Sequence, residues 1–172
     1  MFNSEYNDKR RWISYYHQTR LIMEKKPKSV LEIGVGEHTL EDILKRKGIK
    51  YEGMDLERKT TYKGNIVNWV PKKDYDIICC FQTLEHIELK QAKEVIKRLR
   101  KYCKWLIISI PQNTFHLEIN GKGIAIPKKT NKCQSNQHKW EMGYIGIEWN
   151  LGTGFFDIEN PYHLFYTIKG DL

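Results

Sequence analysis

The 172-residue chain has no apolar run long enough to cross a membrane. Its opening, Met1-Phe2-Asn3-Ser4-Glu5, lacks the charged-then-apolar shape of a secretory signal. A cytoplasmic protein with no membrane partner is expected. Its four cysteines (Cys79, Cys80, Cys103 and Cys133) include no CxxC pair. That spacing excludes a zinc ribbon and a disulfide framework, so no metal is expected and the thiols read as buried. Repeats and low-complexity tracts are absent. Acidic residues are outnumbered, with 21 Asp and Glu against 29 Lys and Arg, a net charge of +8. That balance admits an anionic partner, but Lys93, Lys97, Arg100 and Lys101 fall on an outer helix face and read as solvated.

What is present is an alternation of elements. Trp12, Tyr16, Thr19, Ile22 and Met23 recur at helical spacing from Asp8 to about Lys25, and Pro27 ends that helix. Strands are expected at Ser29 to Ile33, Tyr51 to Met54, Lys63 to Ile66, Asp76 to Cys80 and Trp105 to Ile110. Helices are expected at Thr39 to Lys47, stopped by Gly48, and at Leu89 to Tyr102, with Ala92, Val95, Ile96 and Leu99 inward. Apolar strands alternating with helices predict an α/β fold with a mainly parallel sheet covered on both sides. After Pro111 the pair Asn120-Gly121 between "FHLEI" and "IAI" predicts a hairpin beyond the sheet's carboxyl edge, where such sheets bind ligands. "FFDIENPYHLFYTI" reads as two strands turning at Asn160-Pro161.

The stretch "VLEIGVGEHTL" joins the first strand to the second helix through Gly34 and Gly36. The glycines permit a sharp turn and close approach of a ligand to the main chain. The phosphate-loop lysine is missing, and His38 stands where a third glycine is usual. A carboxylate at Glu32, two residues before Gly34, is unhelpful to a diphosphate and favourable to a cationic ligand. Asp55 ends the second strand, placed to accept both hydroxyls of a ribose. These features disfavour an NAD site.

In order and spacing, "VLEIGVGEHTL … YEGMDLE … DYDIICCFQTLEHI" resembles class I S-adenosylmethionine-dependent methyltransferases over roughly residues 6 to 169. "YNDKRRWISYYHQTRLI", "ISIP", "HKWEMGY" and "ENPYHLFY" resemble more narrowly a microbial, methyltransferase type 11-like subgroup. The resemblance implies a Rossmann-like fold with a seven-stranded sheet whose C-terminal hairpin is antiparallel. It implies S-adenosyl-L-methionine as cofactor, held by Glu32, Gly34, Gly36, Asp55, Leu56, Asn65, Ile66, Phe81 and Gln82. His38 is then expected at the pocket rim, against the cofactor's carboxylate.

One domain over 1–172 is expected: an N-terminal helix and lid candidate (1–28), a cofactor-binding core (29–110), a substrate-side insertion (111–139) and a C-terminal hairpin region (140–172). Methyl transfer asks the protein to align a nucleophile, exclude water and accept a proton. His86 and His138 are the catalytic candidates, and Trp140, Glu141 and Tyr16 the substrate-binding ones. Tyr162, His163 and His17 read as structural. The expected reaction methylates an oxygen or nitrogen of an unidentified acceptor, with a small molecule favoured over nucleic acid or protein. The amino-methylating Asp/Asn-Pro-Pro-Tyr and cytosine-carbon Pro-Cys-Gln motifs are both missing, and "PKKTNK" is an ordinary lysine loop. Between "HKWEMG" and "FFDIEN" only roughly a dozen residues stand where the family fits a helix, which implies an open acceptor side or one completed by a second subunit, in a monomer or homodimer. The alternative is a non-catalytic S-adenosylmethionine- or nucleotide-binding module or accessory subunit, with a nucleic-acid partner among its options.

Overall fold

The computed structural model describes residues 9–112, 114–119, 122–127, 138–140, 154–157 and 160–172. Glu141, the "PKKTNK" loop, the 120–121 turn and the 141–153 connection lie outside the described residues, as does the side chain of Tyr162.

Seven strands form one sheet: β1 (Ser29–Ile33), β2 (Lys50–Asp55), β3 (Tyr62–Lys63), β4 (Tyr75–Phe81), β5 (Cys103–Pro111), β8 (Phe155–Asp157) and β9 (Asn160–Lys169), in the order β3-β2-β1-β4-β5-β9-β8. The first five pair in parallel, while β9 runs antiparallel to both β5 and β8. This is the mainly parallel Rossmann-like sheet with an antiparallel C-terminal pair. Between β5 and β8, β6 (Thr114–Ile119) and β7 (Lys122–Pro127) form a separate two-stranded ribbon, the hairpin that Asn120-Gly121 signals. The other expected turn is displaced by pairing. Asn160 already pairs with Asp157, so Asn160-Pro161 opens β9 instead of making the turn.

Strand side chains alternate between two cores, as a two-residue period requires. Leu31, Ile33, Ile78, Cys80, Leu106 and Ile108 pack against α3 (Leu89–Arg100) through Ala92, Val95, Ile96 and Leu99. Val30, Ile77, Cys79 and Ile107 face the opposite way, with Leu40 and Leu44 of α2 (Thr39–Arg46) and Leu21 and Ile22 of α1 (Lys9–Glu24). Adjacent Cys79 and Cys80 thus sit on opposite faces, and burial raises both thiols' pKa well above the ordinary value. α3 begins with a reciprocal capping box between Glu88 and Gln91.

The inner face of α1 differs from the apolar stripe read in the sequence. Ser14, His17, Gln18, Leu21 and Ile22 are buried, whereas Trp12 and Tyr16 are 53% and 63% exposed. Three of the buried five are polar, and two of these, Ser14 and His17, are hydrogen-bonded across the fold. The Ser14 hydroxyl accepts from Asn160 Nδ2 at 2.8 Å and bonds His163 Nδ1. His17 Nε2 meets Asp157 Oδ2 at 2.6 Å, and its ring packs against Phe155 and Phe165. These polar ties hold the first helix to the last strands. Asn160→Ala is therefore expected to cost about 1–3 kcal/mol, the usual penalty for breaking a buried hydrogen bond. Urea unfolding measures it, and an unchanged midpoint would mean that α1 docks without this network.

Candidate active site

The parallel strands β1, β2 and β4 end together, and the loops that follow them enclose two adjoining clefts. The turn after β1 is set by Gly34, whose φ of +79° suits glycine alone among residues without strain. A Cβ at Gly34 would stand 2.0 Å from Thr83 Oγ1, so the loops after β1 and β4 touch at this point. Thr83 Oγ1 also reaches the carbonyls of Phe81 and Ile33, which fixes its side of the contact.

The first cleft, about 340 Å³, is mostly apolar and is lined by Met54, Asp55, Leu56, Asn65 and Ile66, with Gly34, Thr83 and His86 at its inner end. Asp55 Oδ1 accepts the amides of Glu57 and Arg58 at 2.8 and 2.9 Å, so its loop holds the carboxylate in place. Leu56 beside it is 57% exposed, an apolar side chain that a flat ligand would cover. Asn65 Oδ1 caps its own turn by accepting from Val67 N at 2.9 Å, and its carbonyl accepts from Asn68 N and Trp69 N at 3.1 and 2.9 Å. The Ile66 carbonyl accepts from the Arg98 guanidinium, which ties this turn to α3.

The second cleft, about 390 Å³, is polar. Glu32, Gly34, Gly36, Phe81 and Gln82 form its sheet side, and Arg11, Tyr15 and Gln18 reach it from α1. Glu85, His86, His138 and His163 line it as well. A Cβ at Gly36 would meet nothing within 4 Å, so the missing side chain leaves open space there. Gln82 holds a strained φ of +50° while its Nε2 donates to Ser109 Oγ at 3.2 Å. Gly34 and His86 line both clefts and mark their junction.

Glu32 is buried, and Tyr51 donates a hydrogen bond to its Oε2 at 2.6 Å. Burial outweighs that bond and lifts the carboxyl pKa from 4.5 to about 7. His163 is moved the other way, to about 4, chiefly by burial with Arg11 adding repulsion. It is therefore a neutral imidazole at pH 7, held at Nδ1 by Ser14.

The described residues place several sequence candidates differently from expectation. His38 lines neither cleft. It occupies the left-handed region (φ 60°) as the N-cap of α2 and bonds Glu41 Oε2 at 2.6 Å, so it adopts the backbone a glycine would supply. Tyr16 points away from both clefts, and Tyr15 and Gln18 stand there from the same helix. Trp140 is buried in the core and its Nε1 donates to the Ile87 carbonyl at 3.0 Å. Its contribution is to anchor His138, two residues earlier. His163, read as structural, is a lining residue. Glu85, Arg11 and Thr83 were missed, since nothing in their local pattern distinguishes them from helix and loop residues.

The sheet order, with a two-part cleft at the carboxyl edge, defines a Rossmann-like α/β protein. A family described as "Methyltransferase domain" matches residues 4–142, and the chain belongs to it. A search of the curated proteins gave no match. Among solved structures the chain is similar to an S-adenosylmethionine-dependent methyltransferase from Clostridium acetobutylicum, with 14% identity, 94% of this chain and 92% of that one covered, and a TM-score of 0.59. It is also similar to the methyltransferase domain of bacterial CtHen1 (15% identity, 91% and 97% covered, TM-score 0.60). A third is the N-methyltransferase NodS of Bradyrhizobium japonicum, solved with S-adenosyl-L-homocysteine (10% identity, 96% and 89% covered, TM-score 0.59). At these identities the likeness is one of fold. No helix among the described residues is long and apolar enough to cross a membrane.

The raised pKa of Glu32 links stability to pH with a definite sign. Below pH 4.5 the carboxyl is protonated folded or unfolded, and it contributes nothing. Between 4.5 and about 7 the unfolded chain ionises while the folded one retains its proton, so stability falls as pH rises. The total loss is about 3 kcal/mol. Glu32→Gln, which can keep the Tyr51 bond, is expected to be the more stable protein above pH 7 and to lose the pH 5–8 decline in melting temperature. Parallel declines in both proteins would show that Glu32 is not the group responsible.

Proposed function

We propose that the chain is an S-adenosylmethionine-dependent methyltransferase acting on an oxygen or nitrogen of its acceptor. The observation that carries this reading is the pairing of a loop-held Asp55 in an apolar cleft with a buried Glu32 in the polar cleft beside it. In this reading Asp55 accepts the ribose hydroxyls, Leu56 and Ile66 cover the base with Asn65 at its edge, and Gly34 and Gly36 let the main chain come close. Glu32, Phe81 and Gln82 face the methionine portion, where a cationic group repays the cost of ionising Glu32. When bound, the cofactor supplies a methyl group on a sulfonium, whose carbon–sulfur electron pair returns to sulfur on transfer.

His86, at the junction of the clefts, and His138 beside it (ring centroids 5.4 Å apart) stand where an acceptor O–H or N–H would lose its proton. Residues of α1 close the same cleft from above and help exclude water. The acceptor is a molecule that can enter the polar cleft, a small one being favoured.

Calorimetry with S-adenosylmethionine, S-adenosylhomocysteine and NAD tests the cofactor. Asp55→Ala is expected to weaken binding at least tenfold, because a charged hydrogen-bonding group is removed. Unchanged affinity would misplace the pocket, and preference for NAD would overturn the reading. Binding is also expected to tighten as pH rises towards 7 and to release protons, since the ligand's cation draws Glu32 into its ionised form. Incubation with labelled cofactor and fractions of small molecules, protein and RNA then identifies the acceptor.

A further inference from the structure

We propose that Glu85, His86 and His138 form a binding site for a divalent first-row transition metal at the acceptor side of the cleft. One ligand atom from each of the three lies within 4.8 Å of the other two. Metal–ligand bonds of roughly 2.0–2.2 Å place ligand atoms about 3–4.4 Å apart, so small side-chain rotations bring these three onto one ion. The absence of any CxxC pair gave no hint of this. Glu85 and His86 are adjacent, whereas His138 follows His86 by 52 residues and meets them only in the fold.

The meeting is built, not incidental. Glu85 and His86 lie in the short 3-10 turn after β4 (Leu84–His86), with Leu84 and Glu85 buried. The 138–140 segment is fastened to that turn at three points. Lys139 N donates to the Glu85 carbonyl at 2.7 Å, Lys139 Nζ pairs with Glu88 at 3.0 Å, and the Trp140 indole donates to the Ile87 carbonyl from within the core. His138 is thereby held against His86, their rings at 69°. A buried Glu85 converging with an exposed His86 and a half-buried His138 on backbone-fixed positions forms the kind of site that binds without large rearrangement.

Two imidazoles and one carboxylate favour manganese, iron, cobalt, nickel or zinc over magnesium or calcium, which prefer all-oxygen shells. Three protein ligands also leave coordination positions open. The cleft's remaining charged groups are Glu32, Arg11 and Glu37, and Glu37 pairs with Arg58 at 3.0 Å. The open positions face the cleft where the acceptor would enter, so the substrate class is one with an oxygen donor, a hydroxyl above all. Coordination would lower the hydroxyl pKa. Its proton passes to solvent, and the oxygen pair forms the new bond to the methyl carbon as the carbon–sulfur pair returns to sulfur.

This catalytic role rests on the methyltransferase reading, but the site itself does not. The test therefore begins without cofactor. Chelator-treated full-length protein is titrated with Co2+, read by visible absorption, and with Mn2+, read by electron paramagnetic resonance, with Mg2+ for comparison. One Co2+ or Mn2+ per chain is expected, bound at least tenfold more tightly than Mg2+. His86→Ala and His138→Ala are each expected to weaken binding tenfold or more. Glu85→Gln, which keeps the buried shape, should do the same, and circular dichroism verifies folding of all three. Absence of stoichiometric binding to millimolar metal would overturn the proposal, as would an unchanged Co2+ spectrum in the folded His86→Ala/His138→Ala double variant. Metal-free protein should still bind S-adenosylhomocysteine. Failure of that binding alone, with metal binding intact, would sink the cofactor reading and leave the metal site standing.

Discussion

The close approach of Gly34 to Thr83 is the constraint on which the cleft depends. Because no Cβ fits between them, the turn after β1 and the turn after β4 can lie against each other at the carboxyl edge of the sheet. Any other residue would push the loops apart, through both its left-handed backbone cost and its overlap with a threonine already bonded to two carbonyls. The contact divides the edge into an apolar cleft towards β2 and a polar one towards α1, and it puts His86 at the boundary.

Electrostatics follow from that division. Glu32 sits in the β1 interior because the sheet needs its backbone there, and it is held in a place that disfavours its charge. A protein selected only for stability would carry an amide or an apolar residue at this position. Retaining a carboxylate makes sense where a cationic ligand supplies the missing counter-charge, and the cost to the ligand-free fold is the reverse side of affinity for that ligand.

Much of this was legible in the sequence, and the failures have physical causes. Four of the five parallel strands, α2 and α3 could be read from apolar runs and the stops at Gly48 and Pro111, since buried strands and amphipathic helices carry their burial in local pattern. The third strand, expected at Lys63 to Ile66, is the short pair Tyr62–Lys63, which no apolar run marks. The stripe expected on α1 holds at Ile22 and Met23 and fails at Trp12 and Tyr16, because the first half of its inner surface is held by Ser14 and His17 bonded to β8 and β9, and hydrogen bonding across 140 or more residues leaves no periodic trace. The glycine loop, Glu32 and Asp55 were visible because the sheet side of the clefts is made of short consecutive segments. The grouping of Glu85, His86 and His138 was not, because it depends on a tryptophan whose core position only the fold reveals. His38 showed that a missing glycine can be a question of backbone angle, with no bearing on the ligand.

The fastening of 138–140 has a consequence for how the molecule comes apart. The cleft groups Glu32, Gly34 and Asp55 belong to interior strands or the turns leaving them, so they are lost only when the sheet itself unfolds. His138 stays in place only while the Trp140 indole remains in the core and the two bonds of Lys139 hold. Withdrawal of the indole would therefore release His138 from the cleft while the strands that carry Glu32, Gly34 and Asp55 stay paired, a local opening in place of a global one.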